Sequence, residues 1–354
     1  MDRGVRIVVV GATGNSGTSL LPQLAEDPSV ESIVGIARRR PGLRVAKTEW
    51  VEADVESSEL APLFDGADAV VHLAWRIQPS HDVNALWRTN VAGSARVFAA
   101  VAEAKVPALV YASSVGAYSP GPKDRRVDED WPTGGVHSSF YARHKVEVER
   151  RLDRFEREHP DVRVVRLRPG LVFKREAASG IRRLFAGPFF PNPLARPGLV
   201  PVVPDIPGLR FQAVHSLDLG AAYRQAVLRD VRGAFNVAAE PVLDAKALAQ
   251  LLDARPVPLS SRAARAATAL SWRLHLQPTP PGWLDLALAV PLLDSTRAHE
   301  ELGWAPQFDA GQALLDLLGG LRDGAGMDTP PLHPKTGGPL RVRELASGVG
   351  SRDV

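Results

Sequence analysis

Through its first two-thirds, the chain alternates short apolar runs with segments whose apolar residues recur at a helical spacing. The runs carry few charged residues, which is typical of strands buried on both faces of a parallel sheet. The intervening segments have the 3.6-residue period of amphipathic helices. This alternation predicts an α/β fold with a doubly wound parallel sheet. Strands are predicted at residues 5–10, 32–37, 50–53, 69–73, 108–112 and 162–167, and helices at 16–25, 84–104 and 141–158.

The pattern changes after Arg168-Pro169-Gly170. Residues 186–210 are crowded with proline and glycine, which predicts a loop. Strand, helix and strand signals return at 211–214, 217–228 and 234–238, and short helices broken by prolines follow. The last thirty or so residues have little periodicity and are rich in Gly, Pro, Ser and Arg, which predicts a disordered tail.

Composition limits the classes of function. The chain has 354 residues, 45% of them hydrophobic, and a net charge of only +3. Its arginines are interspersed with acidic residues, so no nucleic-acid partner is predicted. There are no cysteines, which excludes disulfides, a cysteine nucleophile and thiolate metal sites. No run approaches the roughly 18 apolar residues of a membrane span. We therefore expect a cytoplasmic protein without a metal, acting on a small molecule.

A glycine-rich loop follows the first predicted strand and opens the first predicted helix. Residues 11–17 read Gly-Ala-Thr-Gly-Asn-Ser-Gly. In a dinucleotide-binding turn, Gly11 would permit the tight turn, Gly14 would let the backbone approach a pyrophosphate, and Gly17 would let the helix pack closely on the sheet. The helix N-terminus would offer its N–H groups to the phosphates. The alternative is a glycine-rich turn without a ligand.

Arginines at the end of the second predicted strand bear on the choice of cofactor. Sites of this plan that bind NAD usually place an acidic residue here, whereas an arginine accommodates the 2′-phosphate of NADP. Arg38 and Arg39 therefore favour NADP over NAD, with Arg38 as the leading contact. A solvated loop before Pro41 is the alternative. Asp54, after the third strand, is expected to cap a helix over 56–60 or to bond the adenine amine.

A serine, a tyrosine and a lysine form the candidate chemical centre. Ser114 lies at the exit of the fifth predicted strand, and Tyr141 and Lys145 are one helical turn apart on the same helix face. A tyrosine with its usual pKa of about 10 is a poor base at neutral pH, and a nearby cation stabilises its phenolate. The serine hydroxyl can donate to or accept from a substrate oxygen. Together with the glycine loop, these residues predict hydride transfer to or from a nicotinamide. Alone, a Tyr-x-x-x-Lys pair is more often an ordinary helix face.

Further motifs accompany these residues: Tyr111-Ala112-Ser113-Ser114 leading to Tyr118, Arg168-Pro169-Gly170, His215-Ser216-Leu217-Asp218, Leu293-Asp294-Ser295-Thr296-Arg297 and Leu302-Gly303-Trp304. In combination, over about residues 5–320, they resemble the extended short-chain dehydrogenase/reductases, the NAD-dependent epimerase/dehydratase family. The resemblance implies a Rossmann domain, a smaller C-terminal substrate domain and a bound nicotinamide cofactor. It further implies that Tyr141 is the general acid/base, that Lys145 lowers its pKa and bonds the nicotinamide ribose, and that Ser114 orients the substrate oxygen.

The motifs and the resemblance define predicted domains and cofactor contacts. The Rossmann domain is predicted at 1–172, completed by about 211–238; the substrate-binding domain at 173–210 and 239–322; and the disordered tail at 323–354. Family members often dimerise through helices equivalent to 84–104 and 141–158, which leaves a homodimer open. The predicted cofactor contacts are Gly11, Thr13, Gly14, Asn15, Ser16, Gly17, Arg38, Arg39, Asp54, Val55, Leu73, Ala74, Trp75, Asn90, Tyr141, Lys145, Pro169 and Gly170.

Departures from the family pattern narrow the reaction. Members that dehydrate sugar nucleotides carry an Asp-Glu pair after the catalytic hydroxyl residue, but this chain has Val115-Gly116, so dehydration is not expected. Asn15-Ser16 resembles the atypical, NADP-sensing branch, which typically lacks the catalytic tyrosine. Three functions stay open. The favoured one is an NAD(P)-dependent reductase or dehydrogenase acting on a ketone or secondary alcohol. The others are a sugar-nucleotide epimerase with tightly held NAD and a non-catalytic NADP-binding regulator.

The substrate side of the site is predicted more loosely. Trp75, Tyr118, His137 and the loop at 186–210 are expected to line or cover it. A sugar nucleotide would need cations for its diphosphate, and exposed surface is the alternative interpretation for the candidates, which are Arg182, Arg183, Arg196 and Arg210.

Overall fold

The computed structural model describes residues 4–352. Strands and helices alternate through its first part, as the apolar periodicity predicts. In chain order the strands are β1 (Val5–Val10), β2 (Val30–Ala37), β3 (Thr48–Glu52), β4 (Ala69–His72), β5 (Ala108–Ala112), β6 (Arg126–Val127), β7 (Arg163–Pro169), β8 (Leu171–Phe173), β9 (Val202–Asp205), β10 (Phe211–His215), β11 (Gly233–Val237), β12 (Ala239–Leu243), β13 (Arg255–Pro258) and β14 (Leu292–Leu293).

The α-helices cover the sheet and build the second half of the chain. The helix predicted at 84–104 is interrupted by a π-helical turn at Arg88–Gly93. No helix within residues 4–352 is long and apolar enough to cross a membrane. In chain order the helices are α1 (Asn15–Glu26), α2 (Ala61–Phe64), α3 (Val83–Trp87), α4 (Ser94–Glu103), α5 (Phe140–Glu158), α6 (Ala178–Ile181), α7 (Ser216–Leu228), α8 (Ala245–Leu252), α9 (Ser261–Arg273), α10 (Gly282–Ala289), α11 (Thr296–Glu300), α12 (Ala310–Asp323) and α13 (Val342–Ala346).

Seven strands form one sheet in the order β11-β7-β5-β4-β1-β2-β3. Every neighbouring pair in it is parallel, which confirms the predicted doubly wound α/β fold. The strand order reverses at β1, which has β2 on one side and β4 on the other. In such sheets a crevice opens at the carboxyl ends of the strands at the reversal point, and ligands bind there. A ligand is therefore expected to bind at the loops after β1, β2 and β4.

Apolar side chains pack on both faces of this sheet. Along β1, Ile7 and Val9 face a layer made by α1 and α7, whereas Val8 and Val10 face a layer made by α4 and α5. All four side chains are essentially inaccessible to solvent. This two-sided burial explains why β1 is an unbroken apolar run rather than an alternating one.

Smaller sheets lie beyond the main one. The strand predicted at 211–214 is present as β10, but it pairs with β8 and β12 in a separate three-stranded sheet. Of the segment expected to complete the first domain, β11 is the strand that joins the main sheet. The chain leaves the main sheet at Gly170, where a Cβ would lie 2.5 Å from the carbonyl oxygen of Gln212. This close approach lets β8 run directly beside β10.

The prediction of a disordered tail differs from the structure. Residues 324–352 form turns and the short helix α13, and they pack against the rest of the chain. Thr329, Leu332 and Glu344 are buried there. The segment lacks periodicity because isolated contacts, rather than an amphipathic face, hold it in place. Residues 353 and 354 of the predicted tail lie outside the described residues.

Candidate active site and cofactor cleft

In the glycine loop between β1 and α1, two of the three glycines lie too close to neighbouring backbone for a side chain, and the third has space around it. Gly11 has φ +85°, and a Cβ there would lie 2.5 Å from the backbone nitrogen of Ala74. At Gly17 a Cβ would lie 2.4 Å from the carbonyl oxygen of Ala12. Gly14 is different, because the nearest atom to an added Cβ would be 3.5 Å away. Gly14 therefore leaves space at the start of α1, where any other residue would place a side chain.

Two cavities lie along the carboxyl ends of β1, β2 and β4. The smaller, about 150 Å³, is lined by the loop after β1, the end of β2 and the exit of β4. The larger, about 570 Å³, continues from Thr13 past Trp75 toward residues 183–188 and the C-terminal segment. We call the two together the cleft. The predicted cofactor contacts that line it are Gly11, Thr13, Gly14, Arg38, Arg39, Val55, Leu73, Ala74 and Trp75.

Other predicted contacts do not line the cleft: Asn15, Ser16, Gly17, Asp54, Asn90, Tyr141, Lys145, Pro169 and Gly170. Asp54 caps a turn, since its carboxylate accepts a hydrogen bond from Glu56 N at 2.9 Å. No helix spans 56–60, so that expectation was wrong. Asn90 is buried, and its amide accepts from Arg76 N at 2.7 Å and donates to Arg76 O at 2.8 Å. Asn90 therefore fixes the loop that carries Trp75.

The fold brings Ser114 and Tyr141 together at the carboxyl end of β5. The Ser114 hydroxyl accepts a hydrogen bond from Gly116 N at 3.0 Å. A Cβ at Gly116 would lie 2.9 Å from Cε1 of Tyr141, so the absent side chain makes room for the phenol ring. Burial raises the pKa of the Tyr141 phenol to about 12, although its hydrogen bond with Ser114 acts in the opposite direction. At neutral pH the phenol consequently carries its proton.

Lys145 lies one turn further along α5 and is nearly inaccessible to solvent. Its ammonium donates a hydrogen bond of 2.6 Å to the carbonyl oxygen of Ala112, and it lies 5.8 Å from the centre of the Tyr141 ring. Burial lowers the pKa of Lys145 well below its usual value, and the negative charge of Glu149 opposes that shift. The role implied by the resemblance, in which Lys145 lowers the pKa of Tyr141, stays a prediction.

Two tryptophans enclose the reactive side chains. Trp75, at the exit of β4, places its ring centre 3.4 Å from the Lys145 ammonium and 5.8 Å from the centre of the Tyr141 ring. Trp283, on α10, packs on the other side with its ring centre 4.7 Å from that of Tyr141. Within residues 4–352, neither indole N–H has a hydrogen-bond partner, although both are buried. A ligand with acceptor oxygens would satisfy such donors.

Several site residues escaped the sequence reasoning. Trp283 reads only as part of an apolar stretch, and nothing in its neighbourhood points to Tyr141. Arg76 and Thr89 also line the cleft, and the Arg76 guanidinium donates to the Thr89 hydroxyl at 3.3 Å. Thr89 directly precedes the predicted contact Asn90, and this neighbouring position is the only signal in the sequence that could have indicated Thr89. Pro331 also lines the cleft, but it was not predicted to do so because it lies in the segment predicted to be a disordered tail.

Some predicted substrate-side residues lie elsewhere. Tyr118 is fully buried, and its hydroxyl donates to the Asn236 amide oxygen at 2.7 Å. His137 is exposed and does not line the cleft. Arg182 is buried in an ion pair with Glu344, and Arg210 donates to the Lys123 carbonyl oxygen at 2.8 Å. Arg183, Gly187 and Pro188 do line the larger cavity, whereas Arg196 lies on the exposed surface.

Comparison with known proteins identifies the family of the chain. A model of the NAD dependent epimerase/dehydratase family matches residues 7–183, which is half of the chain and includes most of β1, the glycine loop, β2–β7 and α5. The chain belongs to this family. An uncharacterised protein of Mycobacterium tuberculosis is 24% identical over 324 residues, covering 89% of this chain and 83% of the relative. A putative dihydroflavonol 4-reductase of Synechocystis is 30% identical over 129 residues, or 35% of this chain and 36% of the relative.

Solved structures show the same fold. The UDP-glucose 4-epimerase of Thermotoga maritima, determined with UDP-glucose, superposes with a TM-score of 0.67 at 20% identity, covering 90% of this chain and 99% of that chain. The UDP-glucose 4-epimerase of Thermus thermophilus, in complex with NAD, gives a TM-score of 0.65 at 19% identity, covering 90% and 99%. The family and the fold are those of nicotinamide-dependent enzymes.

Proposed function

We propose that the chain is an NAD(P)-dependent oxidoreductase that transfers hydride to a ketone or from a secondary alcohol. The observation that carries the proposal is the meeting of the Ser114 hydroxyl and the Tyr141 phenol beside the cleft that begins at Gly11 and Gly14. The residues fit a nicotinamide dinucleotide, because the space beside Gly14 and the N-terminus of α1 together suit a pyrophosphate.

The protonation state of Tyr141 favours the reducing direction. With a pKa of about 12, the phenol is protonated at neutral pH and is a proton donor rather than a base. When bound, the nicotinamide dinucleotide supplies the hydride. Tyr141 donates its proton to the substrate oxygen, and Ser114 holds that oxygen by a hydrogen bond. Lys145, held by the Ala112 carbonyl, stabilises the phenolate that remains on Tyr141.

The end of β2 supports NADP as the cofactor. Ala37 ends the strand, and Arg38 and Arg39 follow it as exposed residues on the wall of the cleft. A guanidinium binds a phosphate through two hydrogen bonds, whereas an acidic residue at this point would repel it. The 2′-phosphate of NADP is the group that this arrangement suits.

A sugar-nucleotide epimerase is the second candidate. Similar solved proteins are UDP-glucose 4-epimerases, and an epimerase retains its cofactor. The C-terminal segment across the cleft, described below, would suit retention. Against it, three of the four arginines expected to hold a diphosphate are engaged within the chain: Arg182 by Glu344, and Arg183 and Arg210 by carbonyl oxygens. The third candidate, a non-catalytic regulator, is disfavoured because it would have no use for a buried Lys145 held beside Tyr141.

Native mass spectrometry of the purified chain separates the candidates. For the reductase, we expect a chain free of nucleotide that gains one NADPH when NADPH is added. One equivalent of NAD that co-purifies and resists exchange would favour the epimerase. A chain that carries no dinucleotide and gains none from NADPH, NADH, NADP⁺ or NAD⁺ would contradict both.

A further inference from the structure

We propose that residues 324–352 form a strap that closes over the dinucleotide in the cleft and controls its exchange, with the Arg182–Glu344 ion pair as the latch. The proposal rests on the proposed function, because it takes a nicotinamide dinucleotide as the ligand of the cleft. The strap lies outside the residues that match the family model, 7–183.

One end of the strap reaches the smaller cavity. After α12, Ala325 accepts a hydrogen bond from Ser179 N at 3.3 Å. Pro331 then lines the same cavity as Gly11 and Gly14, and its carbonyl oxygen accepts from the Arg183 guanidinium at 2.6 Å. The strap is therefore part of the wall where the glycine loop would hold a pyrophosphate.

The other end of the strap walls the larger cavity. The strap residues that line it include Glu344, Val349 and Arg352, opposite Thr13 and Trp75. The end is tied down by several contacts with the body of the chain, and among them the Arg341 guanidinium donates to the carbonyl oxygens of Pro188 and Phe190. The carbonyl oxygen of Gly350 accepts from His81 N at 3.1 Å, and that of Gly348 lies 2.7 Å from Nδ1 of His275. A ligand that fills both cavities would consequently contact both ends of the strap.

The latch is a buried ion pair with two hydrogen bonds. The Arg182 guanidinium donates to the Glu344 carboxylate at 2.5 and 2.8 Å, and the two side chains are only 6% and 4% exposed. Removing one partner of such a pair leaves the other charge buried and uncompensated, which is strongly unfavourable. If the whole strap opens, in contrast, water solvates both charges. Glu344 therefore contributes to holding the strap closed.

The rest of the strap contributes little apolar packing. Leu332 and Val349 are buried, but Leu340, Val342 and Leu345 remain between 44% and 93% exposed. A segment held by a few polar contacts opens locally at a lower free-energy cost than the core unfolds. These properties suit a cover that opens to exchange a ligand while the main sheet stays intact.

The absence of cysteines allows a direct test in the full-length chain, because one introduced pair would be unique. A Cβ added at Gly42 would lie 2.6 Å from Cγ of Asp328, so cysteines at these two positions would bring their side chains into contact. Gly42 follows β2 and Asp328 belongs to the strap, and neither lines the cleft. Oxidised Gly42→Cys/Asp328→Cys would hold the strap closed, and the same protein after reduction is its own control.

The measurement is stopped-flow release of bound NADPH into excess NADP⁺, followed by nicotinamide fluorescence. We expect release at least about tenfold slower in the oxidised pair, and restored by reductant. We expect Glu344→Gln to release NADPH at least about tenfold faster than the unaltered chain. Glu301→Gln is the matched control, because it removes a carboxylate from an exposed ion pair with Arg297 and should change nothing.

The outcomes separate the strap from the proposed function. NADPH release that is the same in the oxidised pair, the reduced pair and Glu344→Gln would overturn the strap. No binding of any nicotinamide dinucleotide to the full chain or either variant would overturn the proposed function and the strap with it. Binding that appears only in the reduced pair or in Glu344→Gln would support a strap that closes the cleft.

Discussion

Replacing Glu149 by alanine should destabilise the chain strongly, because this carboxylate joins the candidate site to the core. Glu149 is 2% exposed on α5 and accepts hydrogen bonds from the Arg168 guanidinium at 2.6 and 2.9 Å. It also accepts from the Ser113 hydroxyl at 2.5 Å, and Ser113 adjoins Ser114. Arg166 approaches the same carboxylate at 3.4 Å. Alanine would leave a buried serine hydroxyl and the Arg168 guanidinium without this partner.

The expected cost is that of breaking a buried ion pair, about 3–5 kcal/mol. In a thermal melt this corresponds to a fall in Tm on the order of 10 °C. Glu147→Ala is the matched control on the same helix, since Glu147 forms a partly exposed pair with Arg151. Its expected cost is about 0.5 kcal/mol or less. Urea unfolding of both variants measures the free energies, and a loss below about 1 kcal/mol in Glu149→Ala would refute the reasoning.

The same prediction has a pH dependence. Burial alone would raise the pKa of Glu149, but Arg168 and Arg166 outweigh burial, so the pKa lies below its usual value. A carboxylate whose pKa is lower in the folded chain than in the unfolded chain adds stability above the unfolded value. That stability is lost as the pH falls through the lowered value. The difference in unfolding free energy between the unaltered chain and Glu149→Ala should therefore shrink on acidification, and a difference that grows would contradict the assignment.

Three further changes test the site. Tyr141→Phe should reduce turnover by at least about 10²-fold while leaving NADPH affinity within a few-fold, so full activity in steady-state assays would contradict the proton-donor role. Arg38→Ala should weaken the affinity for NADPH roughly tenfold or more with little effect on the affinity for NADH. Arg40→Ala, outside the cleft, should alter neither affinity, and equal losses of affinity for both cofactors in titrations of Arg38→Ala would remove the case for NADP. Gly11→Ala should abolish dinucleotide binding in calorimetry, because its Cβ would lie 2.5 Å from a backbone atom. Gly66 also has a positive φ but has open space around it, so Gly66→Ala should only lower stability. Unimpaired binding in Gly11→Ala would contradict the placement of the loop.

Local periodicity and turn chemistry were enough to predict the sheet. The run at β1 is almost entirely apolar because both faces of the strand are buried. The glycines that follow it lie in one short segment, so their spacing can be read directly from the sequence. The fold class predicted from such local patterns is confirmed by the strand order, and the family that the motifs resemble is confirmed by the family match. The placement of β10 in a second sheet was missed because strand partners are distant in sequence and leave no periodic signal.

Contacts between distant segments were beyond the sequence. Arg182 reads as a surface cation until Glu344, 162 residues later, is found beside it. Trp75 was predicted to contact a cofactor, but its position over the Lys145 ammonium depends on how β4 and α5 are set in space. The roles of the predicted site residues remain proposals that rest on this geometry.

A crystal structure of the chain with NADP⁺ would test the central claim most directly. We predict pyrophosphate at the N-terminus of α1, the 2′-phosphate at Arg38, and the nicotinamide ring beside the Tyr141 hydroxyl, with Trp75 moved as far as that ring requires. A nicotinamide that lies outside the cleft, or a Tyr141 hydroxyl that faces away from it, would contradict the account.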